Sequence, residues 1–537
     1  MATEAELFKD GKHQELWQRC CGFIDLSLEQ FMDIQRRLLF EQLELLSRCD
    51  LGNYILNGAA PLTLEEFRDQ VPLTTYDDYA PYLLNKREDV LPDKPALWQY
   101  TSGKSGEYDY RWVPVTSAQL REIKSLLFAM LFFSGCTQRE DIPFKERDKV
   151  LYGMAPPPYA TGTMVRVFPT ELLDFLPPID EAEQSSFEER VRRGFEMALS
   201  DGLDVCFALS SVAVAIGDRF RQKGSNSGIS AWLKKPRALS RLARGLIKSK
   251  LAHRTLLPRD LWTLKGLITF GIDSSIYREK IKEMWGREPL EFHGCTEAIL
   301  IAMQTWDHQG MTFIPHLNYF EFIPEEESLK SRRNPSYQPR TLLMDELKPG
   351  KYELVITSLH GGPFVRYRLG HLIEIISLRN ERLDIDIPQM VFLSRVDDQI
   401  DIAGFTRLTE KIIWQAIENS GLDYAGWSAR KEVNGRPLLH LYIELNNEEL
   451  TSPEQVADTI HEELKKLDAP YAELESFTGL RPLQVTLLSA NSFHRYRQKQ
   501  ETSGADLTQL QAPHINPAED TIEFLVGASD EVTARTN

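Results

Sequence analysis

The sequence has no apolar run long enough to cross a bilayer. Leu126–Phe133 falls far short of the ~20 residues a spanning helix needs and stops at Ser134-Gly135, so it reads as buried core. A secretory leader is also missing: Met1–Gly11 is polar and partly acidic, which predicts a cytoplasmic protein with no membrane partner. The six cysteines, Cys20, Cys21, Cys49, Cys136, Cys206 and Cys295, show no CxxC spacing and no histidine set beside a pair. Zinc modules are excluded on that ground, and reduced thiols are expected. Positive charge is in deficit, with 62 Lys and Arg against 79 Asp and Glu and a net charge of -17. That balance argues against a nucleic-acid partner, because a phosphate backbone demands a basic surface. No internal repeat or low-complexity tract occurs.

What is present is an ordinary globular composition, 42% hydrophobic and 26% charged, over 537 residues. That is too long for one core, so two or more are expected, with a cleft between unequal parts. Phe31, Ile34, Leu38, Leu45 and Leu46 recur at helical intervals behind the capping box Ser27-Leu28-Glu29-Gln30, predicting a long amphipathic helix. After Pro349-Gly350, Tyr352, Leu354 and Ile356 alternate with Glu353, Val355 and Thr357, the pattern of a strand leaving a turn. Beyond Ser394 the texture becomes that of a small α+β unit. Its expected elements are a helix from about Glu410 to Gly421, a strand near His440–Leu445, a helix capped by Ser452 and a strand near Leu483–Leu488. The predicted organisation is therefore a body over 1–394, a lid over 395–527 and a polar tail over 528–537. One segment, Lys234 to Arg254, sets eight Lys and Arg among Leu and Ala; contact with a membrane surface or a polyanion is one reading of it, and a solvated helix face balancing an acidic protein is the favoured one.

Several short segments carry chemistry. Tyr100-Thr101-Ser102-Gly103-Lys104-Ser105-Gly106 joins small hydroxyl residues to two glycines, so backbone N–H groups and hydroxyls can close around phosphate oxygens. It is not a Walker loop, which would need glycine where Trp98 stands. His293-Gly294-Cys295-Thr296-Glu297 sets a ring, a flexible glycine and a hydroxyl before a carboxylate, a turn able to stack a base and offer Glu297 to Mg²⁺. Tyr319–Pro324, Phe364–His371 and Ser394–Gln399 follow in order.

Taken together, this ordered set resembles the acyl-adenylate-forming ligases, and in particular the Gretchen Hagen auxin-responsive family of acyl-acid amido synthetases and its bacterial relatives. Val71–Tyr79, Tyr319–Pro324, and Gly350–Thr357 running on to Arg366–Gly370 are the closest segments. The resemblance implies an α/β fold: a large body of mixed sheets flanked by helices, with a smaller α+β lid. It also implies a ligase that uses ATP and Mg²⁺ to join a small carboxylic acid to an amine, an amino acid. Thr101, Ser102, Gly103, Ser105 and Gly106 would hold phosphates, with Glu297 on Mg²⁺. His293, Gly294 and Thr296 would lie along the nucleotide, with His293 against adenine. Arg395 would meet ribose or phosphates, Asp397 would sit at the lid hinge, and Thr269 and Gly271 would lie near the acyl carboxylate.

Two positions depart from that pattern. His371 stands where the family has a ribose-binding aspartate, and a neutral imidazole nitrogen accepts one hydrogen bond where a carboxylate accepts two. Gln511, in Gln509-Leu510-Gln511-Ala512-Pro513, stands where the family has the lid lysine. Losing such a charge at a transition state costs ~3 kcal/mol. Lys499 or Lys104 would then have to supply it. Two alternatives stay open: a thioester-forming acyl-CoA ligase, and a pseudo-ligase that binds without adenylating.

Overall fold

The computed structural model describes residues 2–102, 110–154, 157–168, 170, 172–185, 187–222, 236–271, 274–334, 336–396, 399–402, 406–433, 437–446, 452–472, 482–502 and 511–533. Two compact units emerge, one built on Met1–Thr101 and Tyr110–Phe392, the other on Ser102–Asp109 and Leu393–Asn537.

In the larger unit a hairpin of β1 (Pro95–Ser102) and β2 (Tyr110–Thr116) precedes the main sheet. That sheet has eleven strands and two textures. β3 (Asp148–Gly153), β4 (Leu173–Leu176), β5 (Val205–Leu209), β6 (Gly266–Phe270) and β7 (Leu290–His293) are parallel. They are short and nearly all apolar, as strands covered on both faces must be. One face receives the helix Ser117–Gly135, in which the whole run Leu126–Phe133 is buried. On the other, Leu151, Cys206, Ala208 and Leu267 pack with Trp262, Met284 and Trp285. The sheet continues through β8 (Ala302–Met303), β9 (Met311–Phe313), β10 (Asn318–Pro324), β11 (Gly350–Ser358), β12 (Tyr367–Ser377) and β13 (Gln389–Arg395), in the spatial order β10-β11-β12-β13-β9-β8-β7-β6-β5-β3-β4.

The expected N-terminal helix runs Leu28–Leu46 behind its Ser27/Gln30 capping box. Its inner face is not purely apolar. Gln35 donates to the Pro315 and Asn318 carbonyls at 2.5 and 2.7 Å and accepts from Phe320 N–H at 3.0 Å. Gln42 donates to the Gly362 carbonyl and accepts from Gly361 N–H. Two amides thus fix the helix to the β10 edge and to the β11–β12 turn, an oriented contact that aliphatic packing alone would not give.

The strand expected after Pro349-Gly350 is β11, but its polar residues do not face water. Glu353 and Thr357 are buried: Ser328 of the helix Glu325–Arg333 donates to the Glu353 carboxylate, and Thr357 Oγ1 accepts from Arg366 N–H at 2.9 Å. Arg368 closes a bidentate pair on Glu353 at 2.8 and 2.7 Å. Arg366, itself 5% exposed, does the same for Glu321 on β10 at 3.0 and 2.8 Å and also donates to the Arg68 and Val71 carbonyls. Both arginines of the Arg366-Tyr367-Arg368 segment are therefore fasteners of three neighbouring strands.

In the smaller unit β14 (Gln399–Ile402) pairs β15 (Thr406–Thr409), and β16 (Tyr424–Val433), β17 (Pro437–Leu445) and β18 (Leu483–Leu488) form a three-stranded sheet. The helices Glu410–Asn419 and Pro453–Leu467 pack together, the latter behind a Ser452/Gln455 capping box and against β18. Tyr442 of β17 joins Tyr496, Ile522 and Leu525 of the two closing helices, Ser492–Thr502 and Glu519–Thr533. The last helix continues past residue 528, where the sequence suggested a polar tail.

Candidate active site

In an open α/β sheet, backbone groups at the carboxyl ends of parallel strands point out of the sheet, and the chain must turn there. Ligands are bound at those ends. Here the ends of β6 and β7 carry the predicted residues. Thr269 is wholly buried in β6, and its Oγ1 has no hydrogen-bond partner among the described residues. An orphaned buried hydroxyl is costly to keep and marks a place where a partner is missing. Gly271 follows at φ 132°, a conformation side chains disfavour.

One strand over, Thr269 is paired with Glu291 in the β6–β7 register, two residues before His293 at the end of β7. The chain then turns at Gly294, where an added Cβ would stand 2.3 Å from the Ile299 carbonyl oxygen. Only glycine lets the Thr296–Ala298 turn fold back so tightly that Ile301 N–H reaches the His293 carbonyl at 2.9 Å. Thr296 is buried and Glu297 is half-buried in that turn. Burial, followed by the nearby Glu297 carboxylate, raises the Tyr367 phenol well above its usual range.

The root of the predicted phosphate loop meets the same turn. Thr101 and Ser102 end β1, and Gln99, two residues earlier, donates to the Thr296 carbonyl at 2.9 Å. Tyr100 N–H donates to the Pro158 carbonyl at 3.2 Å, and the Tyr100 ring stands 4.9 Å from that of Tyr159 and 5.0 Å from that of Trp112. Gly103, Lys104, Ser105 and Gly106 lie outside the described residues, as does Asp397.

His371 enters from β12. The β11–β12 register shifts at Leu354/Val355, so that Leu369 and Gly370, the latter at φ 67°, bulge out and His371 resumes opposite Leu354. The bulge aims His371 at His293. Their Nδ1 and Nε2 atoms lie 3.1 Å apart, so one ring donates and the other accepts, and Phe392 stacks on His293 at 4.6 Å and 23°. The two residues expected to touch different parts of a nucleotide are thus one buried pair.

The remaining predicted residues belong to the smaller unit. Arg395 is the last residue of β13 and half-buried. Lys499 is exposed on the helix Ser492–Thr502, with Nζ 4.4 Å above the Phe524 ring. Gln511 is exposed, and the segment after it is firmly held. His514 stacks on Trp427 at 4.3 Å, approaches Glu410 to 2.7 Å, and accepts from Ala429 N–H through its carbonyl.

Gln99 and Phe392 were not singled out by the sequence. Gln99 carries a usable signal, a lone amide inside Leu97-Trp98-Gln99-Tyr100; Phe392 looks like any strand aromatic. Among the described residues no group of three or more His, Cys, Asp or Glu forms a metal cage. Mg²⁺ bound with a nucleotide needs only one or two carboxylates, the phosphates and water supplying the rest, and Glu297 beside Thr296 fits that requirement.

A mixed sheet, parallel from β3 to β7 and covered by helices, is the fold this chain shares with solved acyl-adenylate-forming ligases. The chain matches an acyl acid amido synthetase in complex with 2,4-DB at a TM-score of 0.66 and 17% identity, covering 95% of this chain and 96% of that one. It matches a 2-hydroxyisobutyryl-CoA ligase in the postadenylation state with 2-HIB-AMP at 0.61 and 14%, covering 94% and 93%. Within that class the chain belongs to the GH3 family, whose N-terminal, central and C-terminal domain models match residues 20–155, 311–395 and 415–519. Named relatives include a jasmonoyl–L-amino acid synthetase of Nicotiana attenuata, 26% identical over 37% of this chain and 34% of its own length. An indole-3-acetic acid-amido synthetase of Arabidopsis thaliana is 24% identical over 38% of this chain and 34% of its own. The matched stretches thus span about a third of those relatives.

Proposed function

We propose that the protein activates a carboxylic acid with ATP and passes the acyl group to the amine of an amino acid. The carboxylate oxygen attacks the α-phosphorus and pyrophosphate leaves. The amine nitrogen then attacks the acyl carbon, AMP leaves with the C–O bonding pair, and the nitrogen sheds its proton. The observation that carries this reading is the convergence at the ends of β6 and β7 of Thr269, Gly271, the Gly294–Glu297 turn and the root of the phosphate loop.

In this reading the Thr269 hydroxyl donates to the acid's carboxylate, satisfying the orphan. Thr101, Ser102, Gly103, Ser105 and Gly106 take the phosphates, and Thr296 and Gly294 border the nucleotide. The His293–His371 pair forms one wall for the base and sugar, with Phe392 fixing the His293 ring. Glu297 holds Mg²⁺, which neutralises charge spreading over the phosphates. The resemblance assigns Arg395 to the nucleotide and Asp397 to the hinge role, and Lys499 or Lys104 supplies the cation absent at Gln511.

Family membership favours amide over thioester formation, since the relatives carry amido-synthetase names. The test is hydroxylamine-trapped pyrophosphate release over a panel of aromatic and aliphatic acids, followed by mixed amino acids or CoA as acceptor. Amide product with amino acids is expected. Thioester alone would overturn the acceptor assignment. A wild type that binds ATP but releases no pyrophosphate, while Gln511→Lys does, would establish a degenerate ligase.

A further inference from the structure

Between Asp218 and Asp260 the chain has no acidic residue and twelve Lys or Arg, although the whole molecule carries a net charge of -17. Most of the described part is the helix Pro236–Leu251. Its inner face is anchored: Ala238, Gly245 and Ser249 are buried, a Cβ at Gly245 would stand 2.7 Å from Leu261, and Arg241 donates to the Ala198 carbonyl at 3.0 Å. Its outer face carries aliphatic side chains as well as cations. Leu246, Ile247 and Leu251 are 46%, 60% and 78% exposed. Ala243, Ile247 and Leu251 follow one another at four-residue spacing and form one stripe, and Leu246 lies beyond Lys250 on the same outer face. Exposed Arg244 and Lys248 flank it on one side, and Lys250 lies on the other. Among the described residues no ion pair engages Arg237, Lys248 or Lys250.

Single exposed aliphatics are ordinary; a contiguous stripe bordered by cations on an anchored helix is not. We propose that this face docks on an anionic lipid surface, the aliphatic side chains entering the headgroup region and the cations meeting lipid phosphates. Charge complementarity selects that occupant. A second copy pairing face to face would set cations against cations. A nucleic acid would use the cations and leave the aliphatic stripe in water. The acidic remainder of the molecule is no obstacle, because charges farther away than about 8 Å are screened at physiological salt. This inference stands apart from the ligase reading and uses none of its residues.

The test is co-sedimentation of the full chain with vesicles of phosphatidylglycerol and phosphatidylcholine, against vesicles of phosphatidylcholine alone. Binding to the anionic vesicles only, falling as salt rises, is expected. Each cation near the surface contributes roughly fivefold, so Arg244→Gln with Lys248→Gln weakens binding about 25-fold. Ile247→Asp with Leu251→Asp abolishes it, with circular dichroism and melting unchanged because these side chains are exposed. The proposal is overturned if wild type ignores the anionic vesicles or binds neutral ones equally, or if the Asp variant still sediments. It is likewise overturned if wild type is a dimer by light scattering that the Asp variant separates, which would give the face to a second copy.

Discussion

Thr269 concentrates the question of function in one atom. Its side chain is wholly buried and its hydroxyl has no partner among the described residues, an arrangement that costs about 1–3 kcal/mol in desolvation and that a ligand oxygen would relieve. Thr269→Val keeps the shape and removes the hydroxyl. Its expected signature is split: melting temperature unchanged or higher, and KM for the acid raised roughly tenfold with KM for ATP unmoved. A loss of stability with no change in KM would show the hydroxyl to be structural. Site residues of this kind are only half legible in sequence. Gly294 and Glu297 stand in a compact pattern, whereas Thr269 is an ordinary strand residue that only the family resemblance named, and the ladder sets it across from Glu291, two residues before His293. The pairing of His293 with His371 was invisible for the same reason: it depends on a two-residue bulge that no spacing rule encodes.

At the scale of elements, buried ion pairs decide how the strands are fastened. Arg366 and Glu321 are 5% and 1% exposed, and the arginine's remaining donors are spent on carbonyls and the Thr341 hydroxyl. Replacing only Glu321 by Leu leaves a buried guanidinium uncompensated, with an expected loss of about 3–5 kcal/mol in urea unfolding. The double change Glu321→Leu with Arg366→Met should recover much of that loss, and failure to recover would assign the cost to shape. On the smaller sheet, Glu432 accepts from Tyr442 and Arg430 at 2.7 Å and meets His440 at 2.8 Å. Burial works against its charge, but hydrogen bonds from Tyr442, His440 and Arg430 prevail and hold the carboxyl at about 2. A lowered folded-state value means stability that is present above the unfolded value near 4.5 and is lost as pH falls towards 2. Glu432→Gln should therefore cost roughly 3 kcal/mol at neutral pH, and the gap from wild type should close between pH 4.5 and 2 in denaturant titrations. The helices were readable because capping boxes such as Ser27/Gln30 and Ser452/Gln455 are local. The strand β11 was readable as a strand, but the burial of its polar residues was not, because the residues that meet Glu353 and Thr357, namely Ser328, Arg366 and Arg368, lie in other segments.

For the whole molecule, each unit has a core of its own: around Trp262, Met284 and Trp285 in the larger, and around Tyr442, Tyr496 and Leu525 in the smaller. Near Ser394 the sequence shows the start of a short α+β pattern, and there the long antiparallel strands β10, β11 and β12 of the larger unit have already ended. Separate cores predict separate melting. Calorimetry should resolve two transitions, and Trp427→Ala, which empties a wholly buried site in the smaller unit and costs about 3–5 kcal/mol, should lower one of them by itself. ATP with Mg²⁺ at a hundredfold excess over Kd should raise the other by an amount equivalent to ~2.7 kcal/mol, because the turn at Gly294–Glu297 and the His293–His371 pair belong to the larger unit. The informative case is the variant with nucleotide added. If the nucleotide still raises the larger unit's transition when the smaller unit has already melted, the larger unit binds ATP unaided. If the nucleotide shift disappears in Trp427→Ala, binding requires the smaller unit folded, and Arg395 or Lys499 becomes the residue to replace next.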